Sequence, residues 1–72
     1  MEFVETLEHV KARVEILGKE NVAVVYSYTS TKDGKTHYVI FIFMETATKW
    51  KNRIQLDVQV VWTPEEGWID EG

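Results

Sequence analysis

Seven consecutive apolar residues, Tyr38-Val39-Ile40-Phe41-Ile42-Phe43-Met44, constrain the fold of this 72-residue chain more than any other feature. A strand with one wet face alternates apolar and polar side chains, so an unbroken run needs cover on both faces. A short chain has little material to supply it. What covers the second face is therefore the main structural question, and it bears directly on function.

The chain is near the lower size limit for folding without staples, and it has no cysteine to supply them. That excludes a disulfide framework and a thiolate metal site. With 44% hydrophobic and 28% charged residues, one proline and four glycines, the composition is that of a single globular domain spanning 1–72. A net charge of −4 disfavours a nucleic-acid backbone as partner. No segment reaches the roughly 18 to 20 apolar residues of a membrane span. The start, MEFVETLEHV, is acidic and amphipathic, unlike a secretory signal. The default expectation is a cytoplasmic protein that meets no membrane.

Residues 3–17 read as a helix, because Phe3, Leu7, Val10, Val14 and Leu17 fall on one stripe. Ile16 lies outside it, and Gly18 stands where such a helix ends. Three strands follow, over about 22–30, 36–46 and 53–62, with a short tail from 63 to 72. The last strand alternates: Ile54, Leu56, Val58, Val60 and Trp62 share one face, opposite Arg53, Gln55, Asp57 and Gln59. In the tail, Thr63-Pro64-Glu65-Glu66-Gly67 reads as a tight turn returning Trp68 and Ile69 beside Trp62, as a possible stub of a fourth strand. The link ETATKWKN, without glycine or proline, reads as bent strand ends or an irregular loop. The expected fold is α+β, one helix on a curved antiparallel meander in the order α-β-β-β. The 36–46 strand takes the centre.

The Asp33-Gly34 hairpin signal allows two registers. A two-residue loop pairs Tyr26 with Phe41 and sets Lys32 against Lys35. A three-residue loop with a bulge at Gly34 pairs Tyr28 with Tyr38 and keeps the lysines apart, which favours it. The choice matters because a one-residue slip exchanges the faces.

No residue pattern names a reaction or a cofactor. His9 and His37 are isolated and lack partners at ligand spacing, so no metal site is expected. Ser27 and Ser30 have no nucleophile context, and no glycine-rich phosphate loop occurs. An enzyme is the least favoured class. One segment interleaves cations with an aromatic: Lys49, Trp50, Lys51 and Arg53 have the residue types that stack a base and hold phosphate. Lysines on a connection also keep sheet edges from pairing, and this blander role is preferred.

A helix followed by long antiparallel strands that wrap around it resembles the cystatin-like and NTF2-like folds, which implies a curved sheet packed on the helix. Gln59-Val60-Val61-Trp62-Thr63 matches the first three positions of the cystatin Gln-Val-Val-Ala-Gly hairpin but lacks the Ala and Gly. Protease inhibition is therefore not carried over. The double-stranded-RNA-binding domain also opens with a helix and three strands, but its basic second helix has no counterpart in this reading. Clean alternation, the Asp-Gly hairpin and the absence of cysteine equally suit an idealised, designed scaffold.

One helix leaves one sheet face open, and in the favoured register Val25, Val39, Phe41 and Phe43 point out of it. Burying several such side chains at roughly 1.5 to 3 kcal/mol each rivals the stability of a small domain. The simplest cover is a second copy, making a homodimer through the sheet; the intramolecular alternative folds the Trp50, Trp68 and Ile69 segments over the stripe. The leading expectation is a non-catalytic scaffold or interaction module that self-associates. An inhibitor or adaptor binding another protein through this stripe or the acidic tail (Glu65, Glu66, Asp70, Glu71) comes second. A weak single-stranded nucleic-acid binder is third.

Overall fold

A computed structural model describes residues 2–4 (as backbone), 6–54 and 57–69. The elements run β1 (Glu2–Val4), α1 (Leu7–Leu17), a 3-10 turn (Lys19–Asn21), β2 (Val24–Thr29), β3 (Thr36–Phe41), α2 (Met44–Arg53), β4 (Gln59–Thr63) and β5 (Gly67–Trp68). The strands form one open antiparallel sheet in the order β1-β3-β2-β4-β5. The α+β class and the helix followed by antiparallel strands agree with the sequence reading. The second helix does not, and it places a helical layer on each face of the sheet.

The first helix starts four residues later than its stripe predicts. Thr6 caps it, with Oγ1 accepting from the His9 amide at 3.2 Å, and residues 2–4 pair instead with β3, Phe3 opposite Val39. Val10 and Val14 are buried, while Leu17 packs at the margin of the same core. Gly18 ends the helix at φ +83°, and Asn21 Nδ2 donates to the Leu17 carbonyl at 2.8 Å. That backbone conformation carries a steric penalty for any residue with a Cβ.

The hairpin adopts neither expected register. Thr29 pairs with Thr36 and Tyr28 with His37, leaving a four-residue loop, Thr31 to Gly34, between Ser30 and Lys35. Two side chains build this loop. Ser30 Oγ accepts from the Lys32 amide at 3.2 Å, and Asp33 Oδ1 accepts from the Lys35 amide at 2.9 Å. The Gly34 amide donates to the Ser30 carbonyl at 2.9 Å, with Gly34 at φ +69°. This loop keeps Lys32 from facing Lys35 but gives the same side-chain phase as the two-residue loop. Val25 and Ile40 therefore lie under α1, whereas Val24, Tyr26, Val39 and Phe41 lie on the opposite face.

The final strand is shorter than expected and breaks its alternation. Residue 53 closes α2, and β4 begins only at Gln59. Val25 pairs with Trp62 but Tyr26 pairs with Val60, so Val61 is the extra residue of a β-bulge. The bulge resets the phase: Val58 and Val60 pack toward the α2 side, while Val61 and Trp62 join the α1 core. The single apolar face read from the sequence is divided between two cores. The expected placement of Gln55 and Leu56 lies outside the described residues.

The central strand is β2, not the 36–46 segment, which leaves the sheet after Phe41. The tail behaves as read. Thr63 Oγ1 accepts from the Glu66 amide at 3.1 Å, and β5 returns beside β4 with Trp62 and Trp68 ring centroids 6.4 Å apart. Lys11 Nζ sits 5.3 Å from the Trp68 ring, a cation–π contact that ties α1 to this turn. Asp70 and Glu71 lie outside the described residues.

Candidate functional site

The apolar run divides at Phe41, and each part has a different fate. Its first half is strand. Its second half, Ile42-Phe43-Met44, turns away from the sheet and opens α2. The helix forms because Ala47 and Trp50 recur at helical spacing, Glu45 stands in the first turn, and Lys51 and Arg53 stand in the last. Glu45 also pairs with Lys49 one turn on at 3.3 Å, an exposed contact worth a few tenths of a kcal/mol, ~0.3–0.5.

This helix covers the second face. Trp50 is 5% exposed and sits among three rings, stacked on Tyr26 (5.8 Å, 28°), tilted on Phe41 (5.1 Å) and edge-on to Tyr28 (5.5 Å). Such pairs add about 0.5–1.5 kcal/mol each beyond the area they bury. Burial also pushes the Tyr26 phenol above its ordinary pKa of 10.0.

Three of the four residues expected at a sheet-face interface are consequently core. Val25 lies under α1, and Val39 and Phe41 lie under α2, all essentially inaccessible. Only Phe43 is at the surface. The sheet-to-sheet homodimer loses its surface, because the cover is the chain's own Trp50 segment, folded as a helix. The nucleic-acid patch is dispersed for the same reason. Lys49, Lys51 and Arg53 are exposed on α2, but the Trp50 ring that would stack a base is spent in the core.

Apolar surface nevertheless remains, displaced to the β3–α2 junction. Ile42, Phe43 and Met44 are 51%, 70% and 57% exposed. They present on the order of 350 Å² of mostly apolar surface, a size usual for the largest patch on a monomer and often functional. Beside them opens a groove of about 350 Å³. Its floor is Ile40 and Phe41, one from each core, so it lies at the seam between the two layers. Arg13 and Leu17 of α1 form one wall; Ile42, Phe43 and Thr46 form the other. Among the described residues, Arg13 is the only charged one in the lining.

Phe43 breaks a second local rule. It occupies the N-cap of α2 (φ −114°, ψ 136°) and provides no side-chain hydrogen bond, whereas Thr6 caps α1. Ser, Thr, Asp or Asn at that position stabilises a helix by about 1 kcal/mol relative to an apolar residue. Sequence reading placed Phe43, as an outward residue, in the 36–46 strand rather than at a helix N-cap, and did not name Arg13, Leu17, Ile42, Met44 or Thr46 as site residues. No local sequence signal marks the groove, because the helix that makes Phe43 an N-cap depends on the burial of Ala47 and Trp50.

Elsewhere, His37 Nε2 donates to the Asp33 carboxylate at 3.1 Å and its ring stacks on Tyr28, an arrangement that fixes the hairpin. Among the described residues no three His, Asp or Glu side chains form a metal-binding group, and no helix is long and apolar enough to cross a membrane. Comparison with protein-family models, curated proteins and solved structures finds no match.

Proposed function

We propose that this chain is a non-catalytic interaction module that recognises an apolar, ring-bearing side chain at the groove between α1 and the start of α2. The observation that carries the reading is Phe43: 70% exposed, at the N-cap of α2, and making no cap bond. A residue that gives up both burial and capping is a place where function is sought. The groove supports it. Its lining is apolar apart from Thr46 and Arg13, and its volume has room for a ring, since a dry cavity of about 150 Å³ already holds benzene. Arg13 adds selectivity for aromatic groups, because the face of a guanidinium stacks on a ring while its N–H edge keeps other bonds.

The test is titration of isotope-labelled protein with toluene and with phenylacetate, followed by amide NMR shifts. Shifts confined to residues 13–17 and 40–46 support the reading. No shift at millimolar probe, or shifts centred on another surface, would reject it.

A further inference from the structure

Three aspartates occur in the chain, and of these only Asp33 precedes a glycine. Asp-Gly is the pair at which a backbone rearranges most readily, because glycine has no side chain to shield its amide nitrogen. That nitrogen attacks the side-chain carboxyl carbon of the preceding aspartate. A C–N bond forms, a C–O bond breaks and water leaves, giving a cyclic succinimide. Water then adds to either ring carbonyl. Opening at one returns aspartate; opening at the other gives isoaspartate, with the backbone running through Cβ. No electrons are transferred, and the overall mass is unchanged.

We infer that Asp33-Gly34 is a latent site of this rearrangement, held closed in the folded hairpin by the hydrogen bonds of both reacting groups. Burial is not the guard, since residues 31–36 are exposed and a Cβ at Gly34 meets no atom within 4 Å. The nucleophile is engaged, because the Gly34 amide donates to the Ser30 carbonyl at 2.9 Å. The electrophile is held as well: Asp33 Oδ1 accepts from the Lys35 amide at 2.9 Å, and Oδ2 lies 3.1 Å from His37 Nε2. Both contacts favour the carboxylate over the carboxylic acid, the form that can lose water. His37 is fixed in turn by its ring on Tyr28, with centroids 5.4 Å apart, and Tyr28 meets Trp50 at 5.5 Å. The lock on the loop is thereby tied to the core under α2. Isoaspartate adds a backbone atom to the loop that sets Thr29 opposite Thr36, so conversion leaves a lasting mark of hairpin opening.

The test follows uptake of heavy oxygen from labelled water at Asp33, by mass spectrometry of the digested chain after incubation near neutral pH. Each succinimide that hydrolyses takes up a labelled oxygen, whichever way it opens. The folded chain is compared with the same chain in guanidinium chloride. Uptake is expected to be at least about tenfold slower in the folded chain, because the population of opened loop sets its rate. Hydrogen exchange at the Gly34 amide is slowed in parallel. His37→Phe keeps a ring against Tyr28 but releases the carboxylate, so the folded rate rises while the denatured rate does not. Equal rates in folded and denatured wild type, or a Gly34 amide that exchanges freely, overturn the inference. So does a folded rate indifferent to His37→Phe, or label reaching Asp57 or Asp70 of the denatured chain before Asp33.

Discussion

Replacing Phe43 by serine separates fold from recognition, because the two respond in opposite ways. About 30% of the side chain is buried, so at roughly 2–3 kcal/mol for complete burial the loss is about 0.6–0.9 kcal/mol. The new hydroxyl sits at a backbone with N-cap geometry and can accept from the amide of Glu45 or Thr46, a gain of about 1 kcal/mol. The net change is within about 0.5 kcal/mol of zero, or a melting shift no larger than about 4 °C in a domain of this size. Phe43→Ala loses the burial without the cap, and the difference of about 1 kcal/mol between the two variants isolates the capping term. Urea unfolding followed by far-UV circular dichroism measures both, and phenylacetate titration of the same samples reads the groove. The expected pattern is unimpaired stability in Phe43→Ser with weakened fragment binding. A loss above about 2 kcal/mol in Phe43→Ser would make Phe43 a packing residue and refute the reasoning, since a side chain held by the fold is not presented to a partner.

Trp50→Ala should cost about 3–5 kcal/mol, most of what a 72-residue domain has, and should bring aggregation as Tyr26 and Phe41 become exposed; urea midpoints and light scattering check this. Gly34→Ala should cost about 1 kcal/mol by thermal melting, although a Cβ there meets no atom, because the strain lies in φ +69°. Asp33 titrates below the ordinary 3.8, chiefly because it accepts the Lys35 amide, with the His37 contact adding to the effect. Since its folded pKa is depressed, its contribution is present above the unfolded value and is lost as pH falls through the folded one. Carboxyl-carbon NMR should give a midpoint under 3.8, and Asp33→Asn should flatten the stability–pH slope in that acid range.

The apolar stripe of α1, its stop at Gly18 and the returning tail were legible because each rests on local periodicity or turn chemistry. The interface at Val25, Val39 and Phe41 was misplaced for three physical reasons. The Asp33-Gly34 pair signals a tight loop, but Ser30 and Asp33 side chains build a longer one and reverse the faces. The run from Ile54 to Val60 alternates, but Val61 interrupts the pattern, and the bulge there divides the segment between two cores. Residues 44–53 carry two β-branched threonines and follow an apolar residue where a cap is expected, so local signals for a helix are weak. Tertiary burial of Ala47 and Trp50 decides that segment, and burial of that kind cannot be read until the partner face is known. Of the candidate groove, Phe43 and the floor residue Phe41 were named in advance as interface residues. Its other members come together across α1, β3 and α2.

The account turns on whether the second face of the sheet is closed by the chain itself. Nuclear Overhauser spectra at about 20 μM, repeated after further dilution, test this directly. Cross-peaks from the Trp50 indole to the Tyr26 and Phe41 rings are predicted, at intensities that do not change on further dilution. Their absence, or their loss on dilution, would mean that another chain covers that face and would contradict the fold on which the Phe43 groove depends.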